Sequence, residues 1–199
     1  ILTAIGIDPT IAIRVAFGTN LLVVFPTAIS GSFRHHKKRV VLWKQAITLG
    51  LTSMVFTFAG AYLASILSGS ILKIIFGSAI LLGALRMATA HPIRVQGEPH
   101  ANPVTYAFLG TIFGFVTGLI GIGGGVLMVP LMVIFLNYHM HEAVGTSTAV
   151  MIFTSLGGAI AYMLYGLNAS GLPPYSLGYV NLLQWILLAG TSVPMAQLG

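Results

Sequence analysis

Long apolar runs, separated by short polar or basic stretches, dominate the chain. Most of these runs reach the roughly 20 residues that an α-helix needs to cross about 30 Å of hydrocarbon. None alternates apolar and polar residues like the strands of a membrane β-barrel, so the pattern predicts helices. The predicted segments are residues 9–33, 41–67, 70–90, 104–136, 143–166 and 178–199.

Composition places the chain among integral membrane proteins. Of its 199 residues, 56% are hydrophobic and only 6% are charged, and the mean hydropathy is +0.95. Soluble domains carry about 25% charged residues, and a soluble chain of this length cannot bury so much apolar surface. The chain contains no cysteine, which excludes disulfides and thiolate chemistry.

The basic residues indicate how the chain is oriented in the membrane. Net charge is +6, but the strongest cluster is RHHKKR at residues 34–39, in a loop between two apolar segments. Such clusters mark cytoplasmic loops, so residues 34–39 and 91–103 are predicted to be cytoplasmic in a multi-pass protein of the plasma or inner membrane. This distribution predicts lipid as a partner and no nucleic acid.

Two parts of the chain match each other, which predicts an internal repeat. AFGTNLLVVFPTAISGS at residues 16–32 aligns with AVGTSTAVMIFTSLGGA at residues 143–159, an offset of 127. LTS at residues 51–53 aligns with GTS at residues 190–192, an offset of 139. We therefore expect a first repeat over residues 1–95, a linker at 96–103 and a second repeat over residues 104–199. In this alignment the partner of segment 104–136 would precede Ile1, and the partner of segment 70–90 would follow Gly199.

The charge of the matching loops predicts that the two repeats are inverted. The loop at residues 34–39 is basic, whereas its counterpart at residues 167–178 has no charged residue. Inversion requires an odd number of crossings between these loops, so segment 104–136 is predicted to enter and return on one side. The alternative is a single kinked span.

A glycine-rich stretch, GLIGIGGGVLMVP at residues 118–130, supplies the turn that such a re-entrant segment needs. Glycine permits the backbone angles of a reversal, and irregular backbone at membrane depth requires burial in protein or a wet cavity. The returning half-helix would expose N–H groups and a partial positive charge, which together bind anions. The prediction is an all-α, polytopic inverted-repeat transporter with a broken, re-entrant glycine-rich helix and a small anionic substrate.

The pattern GFVTGLIGIGGGVLMVPLMV…HEAVGTSTAV, with its weaker echo at residues 16–20, resembles the TauE/SafE family of sulfite exporter-like permeases. The resemblance covers essentially the whole chain and implies transport of sulfite or small organosulfonates, usually export, by two repeated halves. Asn20 stands where the second repeat has Ser147, which changes the polarity of one wall.

Candidate substrate ligands are the groups that can donate hydrogen bonds to an oxyanion without adding a strong charge. For each hydroxyl the alternative is helix packing, since small and hydroxylated residues let membrane helices approach closely. Arg14 and His141 can attract an anion at the two mouths, or Arg14 can extend to the headgroups. The candidates are Gly123, Gly124, Gly125, Thr19, Asn20, Thr146, Ser147, Thr27, Thr154, Ser155, Arg14 and His141.

Two other classes of function are weighed against transport of an anion. His139, His141 and Glu142 could bind a divalent metal, but no second cluster within the predicted spans completes a site, so neither a metal nor a cofactor is predicted. Glu142 is the only charged residue after residue 98, which leaves no carboxylate pair for a membrane hydrolase and predicts that the chain is not an enzyme. The alternatives are a divalent-metal permease and a structural membrane protein without transport.

Overall fold

The computed structural model describes residues 6–89 and 102–198, and nearly all of its regular structure is helical. The chain is therefore a helical membrane protein, as its hydropathy predicts. A two-stranded antiparallel hairpin pairs Ser176 with Asn181 and Leu177 with Val180. The helices are α1 (Pro9–Lys37), α2 (Trp43–Ile66), α3 (Gly69–Thr89), α4 (Pro103–Ile120), α5 (Gly125–Leu136), α6 (Met140–Gly166) and α7 (Leu182–Leu198), and the strands are β1 (Ser176–Leu177) and β2 (Val180–Asn181).

Helix boundaries follow from local capping chemistry. The Asp8 carboxylate accepts the N–H groups of Thr10 and Ile11 at the start of α1, and Pro9 occupies the first turn. Asn102 caps α4 in the same way, again with a proline in the first turn. The basic cluster begins within the last turn of α1, where positive side chains complement the helix dipole. We call this end of the bundle the basic end.

Segment 104–136 is broken, as its glycines predict. Helix α4 ends at Ile120 with Gly121 as a left-handed cap at φ +70°, and α5 begins at Gly125. Gly123 and Gly124 also have positive φ, +82° and +93°. Side chains other than glycine rarely adopt this conformation, so the sequence GIGGG is what allows the chain to reverse here.

The broken segment returns to the end from which it came. Helix α4 runs parallel to α2, because a Cβ at Gly110 would meet Thr52 and one at Gly118 would meet Thr57. It therefore starts at the basic end, as α2 does. After the turn, α5 brings Tyr138 back to the start of α4, where its hydroxyl lies 3.2 Å from that of Tyr106. The re-entrant hairpin predicted from the loop charges is thus present.

Helices α1 and α6 cross in opposite directions at the centre of the molecule. Gly18 packs against Tyr162, whereas Gly31 packs against Thr148. Helix α7 runs parallel to α1, with Thr27 beside Ser192. Helices α2, α4 and α6 accordingly run one way and α1 and α7 the other.

Lipid-length helices and their apolar surfaces fit a membrane environment. Within residues 6–89 and 102–198, four helices are long and apolar enough to cross a bilayer, namely α1, α2, α4 and α6, although α4 is one arm of the hairpin. Many large apolar side chains are exposed along the helices, including Ile74 and Leu81 on α3. The predicted cytoplasmic loop at 91–103 and the linker at 96–103 fall almost wholly outside the described residues. The division into repeats 1–95 and 104–199 stays a prediction.

Candidate functional site

The N terminus of α5 lies at the turn of the hairpin and has no side-chain cap. Helix α5 begins at Gly125, after Gly124 in the left-handed region, and this N-cap glycine supplies no side-chain hydrogen bond to the first N–H groups. Uncapped N–H groups at a helix start carry a partial positive charge and are a favourable place for an anion. The three candidate glycines therefore lie at the position that the sequence predicts for them.

Two polar side chains from neighbouring helices fix the turn. The Asn20 amide of α1 donates to the carbonyl of Gly121 at 2.7 Å. The Thr154 hydroxyl of α6 donates to the carbonyl of Gly123 at 3.2 Å. Because both carbonyls are satisfied by the protein, and the Gly121 N–H donates to the Thr117 carbonyl at 2.8 Å, the turn is held firmly between α1 and α6.

An open cavity of about 410 Å³ lies beside the turn, between α1, α6 and α7. Val24 and Met151 line it and also contact the glycines: a Cβ at Gly123 would lie 2.9 Å from Val24, and one at Gly125 would lie 2.9 Å from the Met151 sulfur. The cavity extends along α1 to His35 at the basic end. Its polar lining includes the hydroxyls of Thr27, Thr148 and Ser192.

Thr19 and Thr146 bond to backbone rather than to the cavity. The Thr19 hydroxyl accepts the N–H of Asn181 at 2.9 Å, and the Thr146 hydroxyl accepts the N–H of Leu42 at 3.1 Å. Both threonines are buried, and each bond holds the residue that precedes a helix. These contacts favour the packing alternative, and direct contact with substrate stays a prediction for both residues.

The glycines next to these threonines allow backbone contact between helices. A Cβ at Gly18 would lie 2.3 Å from the carbonyl oxygen of Tyr179, and one at Gly145 would lie 2.8 Å from that of Val40. The Gly-Thr pairs at 18–19 and 145–146 are 127 positions apart. The residues that they contact, 179 and 181 in the first case and 40 and 42 in the second, are 139 positions apart. These are the two offsets of the sequence alignment. The same contact therefore occurs twice, in opposite directions.

The remaining hydroxyl candidates satisfy themselves mainly within their own helices. Ser147 donates to Val144 and Ser155 to Met151, each a carbonyl one turn earlier. Thr27 donates to Val23 in the same way, but it also lies 3.1 Å from Ser192 and lines the cavity. Of this group, Thr27 is the one that the structure places where a solute in the cavity can reach it.

Arg14 and His141 lie at opposite ends of the bundle, and neither reaches the turn. The Arg14 guanidinium donates to the Leu67 carbonyl at 2.8 Å and to the Tyr179 hydroxyl at 3.2 Å, at the end opposite the basic end. His141 is exposed in the first turn of α6. His139 and Glu142 form the capping box of that helix. Among the described residues, no group of three metal-binding side chains lies together.

Sequence reasoning missed residues that border the turn. Val24 and Met151 were not candidates, yet they are counterparts at the offset of 127 and both contact Gly123. Ser192 was quoted only as part of the GTS match, and it lines the cavity. The repeat alignment pairs Val24 with Met151, but only the fold shows that both lie beside the glycines.

The comparisons with known proteins agree with one another. A family model described as sulfite exporter TauE/SafE matches residues 1–199. A probable membrane transporter protein of Methanocaldococcus jannaschii is 34% identical over 188 residues, covering 94% of this chain and 69% of the relative. The probable membrane transporter protein YunE of Bacillus subtilis is 29% identical, covering 77% of this chain and 63% of the relative. A probable membrane transporter protein of Haemophilus influenzae is 23% identical, covering 100% of this chain and 75% of the relative. No solved structure matches the chain.

Proposed function

The chain belongs to the sulfite exporter TauE/SafE family, and we propose that it carries a small sulfur-containing anion, sulfite or an organosulfonate, across the membrane. The family and the named relatives are membrane transporters rather than enzymes. The chain spans 63–75% of the length of the three relatives described above, so the proposal concerns the whole protein to which it contributes.

The observation that carries the proposal is the uncapped start of α5 beside an open cavity. Backbone N–H groups at a helix N terminus suit an oxyanion, because they donate hydrogen bonds and add only about half a positive charge. A binding site for transport must also release its ligand. A site without a buried full charge meets both requirements, and Gly123, Gly124 and Gly125 supply its donors.

The polar groups near the turn have graded roles in this proposal. Asn20 and Thr154 position the glycines through the two turn carbonyls. Thr27, on the cavity wall, is the hydroxyl that contacts the anion on its way to or from the basic end. Thr19, Thr146, Ser147 and Ser155 support the helices rather than the ligand.

Movement of the anion requires the site to face each side of the membrane in turn. Transporters with inverted repeats do this by rocking one repeat against the other around a fixed central site. The opposed directions of α1 and α6, and their contacts repeated at offsets of 127 and 139, support such an arrangement here. We place the basic end in the cytoplasm of a cell-membrane protein and propose export as the direction.

A thermal-shift screen of the full-length protein tests the substrate class directly. Ligands that bind the folded state raise the melting temperature. Sulfite, thiosulfate, sulfate, taurine and sulfoacetate are compared at equal ionic strength, with chloride as the control for salt. A rise with one or more sulfur anions supports the proposal. Nickel and zinc chlorides are screened in parallel, and a rise with either metal but with no sulfur anion would instead favour the divalent-metal permease. No rise with any ligand would favour a structural protein.

A further inference from the structure

Ser53 carries a buried hydroxyl without a hydrogen-bond partner among the described residues. The residue lies on α2 with none of its surface exposed. Its backbone packs against Gly114 of α4, one arm of the hairpin. Buried hydroxyls are nearly always paired, so an unpaired one at this position requires an explanation.

The repeat counterpart of Ser53 is paired. Ser192, at the offset of 139, lies 3.1 Å from Thr27 and donates to the carbonyl of Leu188 at 2.8 Å. The counterpart of Thr27, at the offset of 127, is Thr154. The equivalent of the observed Thr27–Ser192 pair is therefore a Thr154–Ser53 pair, which the structure does not contain.

The two residues of the missing pair lie at one level of the α2–α6 contact. Gly50 packs against Phe153 just before them, and Gly157 packs against Met54 just after them. Thr154 is also fully buried, and its hydroxyl donates to the carbonyl of Gly123 in the glycine turn. In the described state Thr154 gives its one proton to the turn, and no hydrogen bond joins its oxygen to the Ser53 hydroxyl.

We propose that Ser53 is a positioning residue for transport, whose hydroxyl becomes the partner of Thr154 when Thr154 releases the Gly123 carbonyl and the glycine turn moves. This rests on the proposed function, in which that turn holds the anion. The two arrangements differ in which of the two threonine–serine pairs is closed, and each pair joins the two predicted repeats. In the described state the Thr27–Ser192 pair is closed and the Ser53 hydroxyl is unpaired; in the other state the reverse holds.

Ser53→Ala tests this exchange because it removes the alternative partner without touching the turn. The full-length protein is reconstituted in liposomes, and the variant is expected to transport sulfite at least tenfold more slowly with an unchanged binding constant. Its melting temperature should be no lower than that of the unmodified protein, since an unpaired buried hydroxyl has been removed. A purely structural role would change stability and binding together.

Ser32→Ala is the matched control. Ser32 also has a buried hydroxyl without a partner in the described structure, but its repeat counterpart is Ala159, so it has no pair to exchange. This variant should transport at the unmodified rate. Transport by the Ser53→Ala variant at the rate of the unmodified protein would overturn the proposal. An equal loss of transport in the Ser53→Ala and Ser32→Ala variants would overturn it as well.

A second readout does not depend on the identity of the substrate. The 199 residues contain no cysteine, so Ala196→Cys, on the cavity wall, introduces a single reactive thiol into a full-length protein in which any cysteine outside them is replaced. Modification of this thiol by a charged maleimide, without any anion present, should be faster in the Ser53→Ala background than in the Ser32→Ala background. Without the Ser53 hydroxyl as an alternative partner, Thr154 stays on the Gly123 carbonyl. The protein then remains in the described state, in which the cavity is open. Equal rates would refute the exchange even if sulfite were the substrate; a difference would support it even if sulfite were not.

Discussion

Gly125→Ala is the substitution that best separates anion binding from folding. Gly125 is the first residue of α5 and lacks the positive φ of Gly124, so alanine fits the backbone. An added Cβ would lie 2.9 Å from the sulfur of Met151 and 3.3 Å from its terminal methyl. A methionine end moves easily, and alanine favours a helix over glycine by up to about 1 kcal/mol. The variant should therefore fold with a stability within about 1 kcal/mol of the original.

The same methyl group points toward Met151, which lines the cavity, and we expect it to obstruct access to the N–H groups at the start of α5. Loss of one hydrogen bond to a charged ligand costs about 1.5–3 kcal/mol. Affinity for sulfite should thus fall about 10- to 100-fold. Titration of the full-length protein, followed by thermal shift or calorimetry, measures this change.

Gly190→Ala is the control, since a Cβ at that position of α7 meets no atom within 4 Å. It should bind sulfite like the unmodified protein. Gly124→Ala is a poorer probe, because φ is +93° and the new Cβ would lie 2.7 Å from the Thr117 hydroxyl, so it perturbs the fold as well. A folded Gly125→Ala protein with unchanged affinity would refute the placement of the anion at the start of α5.

Three further substitutions test the supporting contacts. Thr146→Val removes the acceptor for the Leu42 N–H and should destabilise the protein by about 1–2 kcal/mol in thermal unfolding. A loss of sulfite affinity without a loss of stability would instead show that Thr146 contacts the ligand. Arg14→Lys should lower the melting temperature, because lysine lacks the planar fork that makes two hydrogen bonds at the end of α1 opposite the basic end. An unchanged value would mean that those bonds contribute nothing. The hydrogen bond from the Thr10 N–H lowers the pKa of the Asp8 carboxyl below its ordinary 3.8. The ionised cap therefore contributes to the folding stability above pH 3.8, and this contribution is lost as the pH falls through the lower pKa of the folded state. Asp8→Asn should remove that acid-dependent step from the free energy of unfolding measured between about pH 2 and 5.

The helices could be predicted closely from hydropathy and capping signals. Asp8-Pro9 predicted the start of α1, and the five glycines between 118 and 125 predicted the break in segment 104–136. Hydropathy could not place the start of α7, because residues 176–181 form a β-hairpin before the helix begins at Leu182. The end of α1 extends to Lys37, past the apolar run, because basic side chains stabilise a helix C terminus.

The candidate site was predictable in its backbone and not in its side chains. Glycine clusters report backbone conformation, which is local, so the turn at residues 121–125 could be located. Whether a hydroxyl faces a cavity or a neighbouring helix depends on packing between segments, which a single sequence does not reveal. Thr19 and Thr27 look alike in the sequence, yet one caps a buried N–H of Asn181 and the other lines the cavity.

The most direct measurement is an anomalous-scattering structure of the full-length protein with selenite, a heavier oxyanion of the same shape as sulfite. Binding at the glycine turn predicts a selenium peak whose oxygens lie within hydrogen-bond distance, about 2.7–3.2 Å, of the backbone nitrogens at the start of α5. The peak should disappear in Gly125→Ala and persist in Gly190→Ala. A peak elsewhere in the bundle, or a fully bound protein with no selenium near Gly125, would contradict an anion site at this turn.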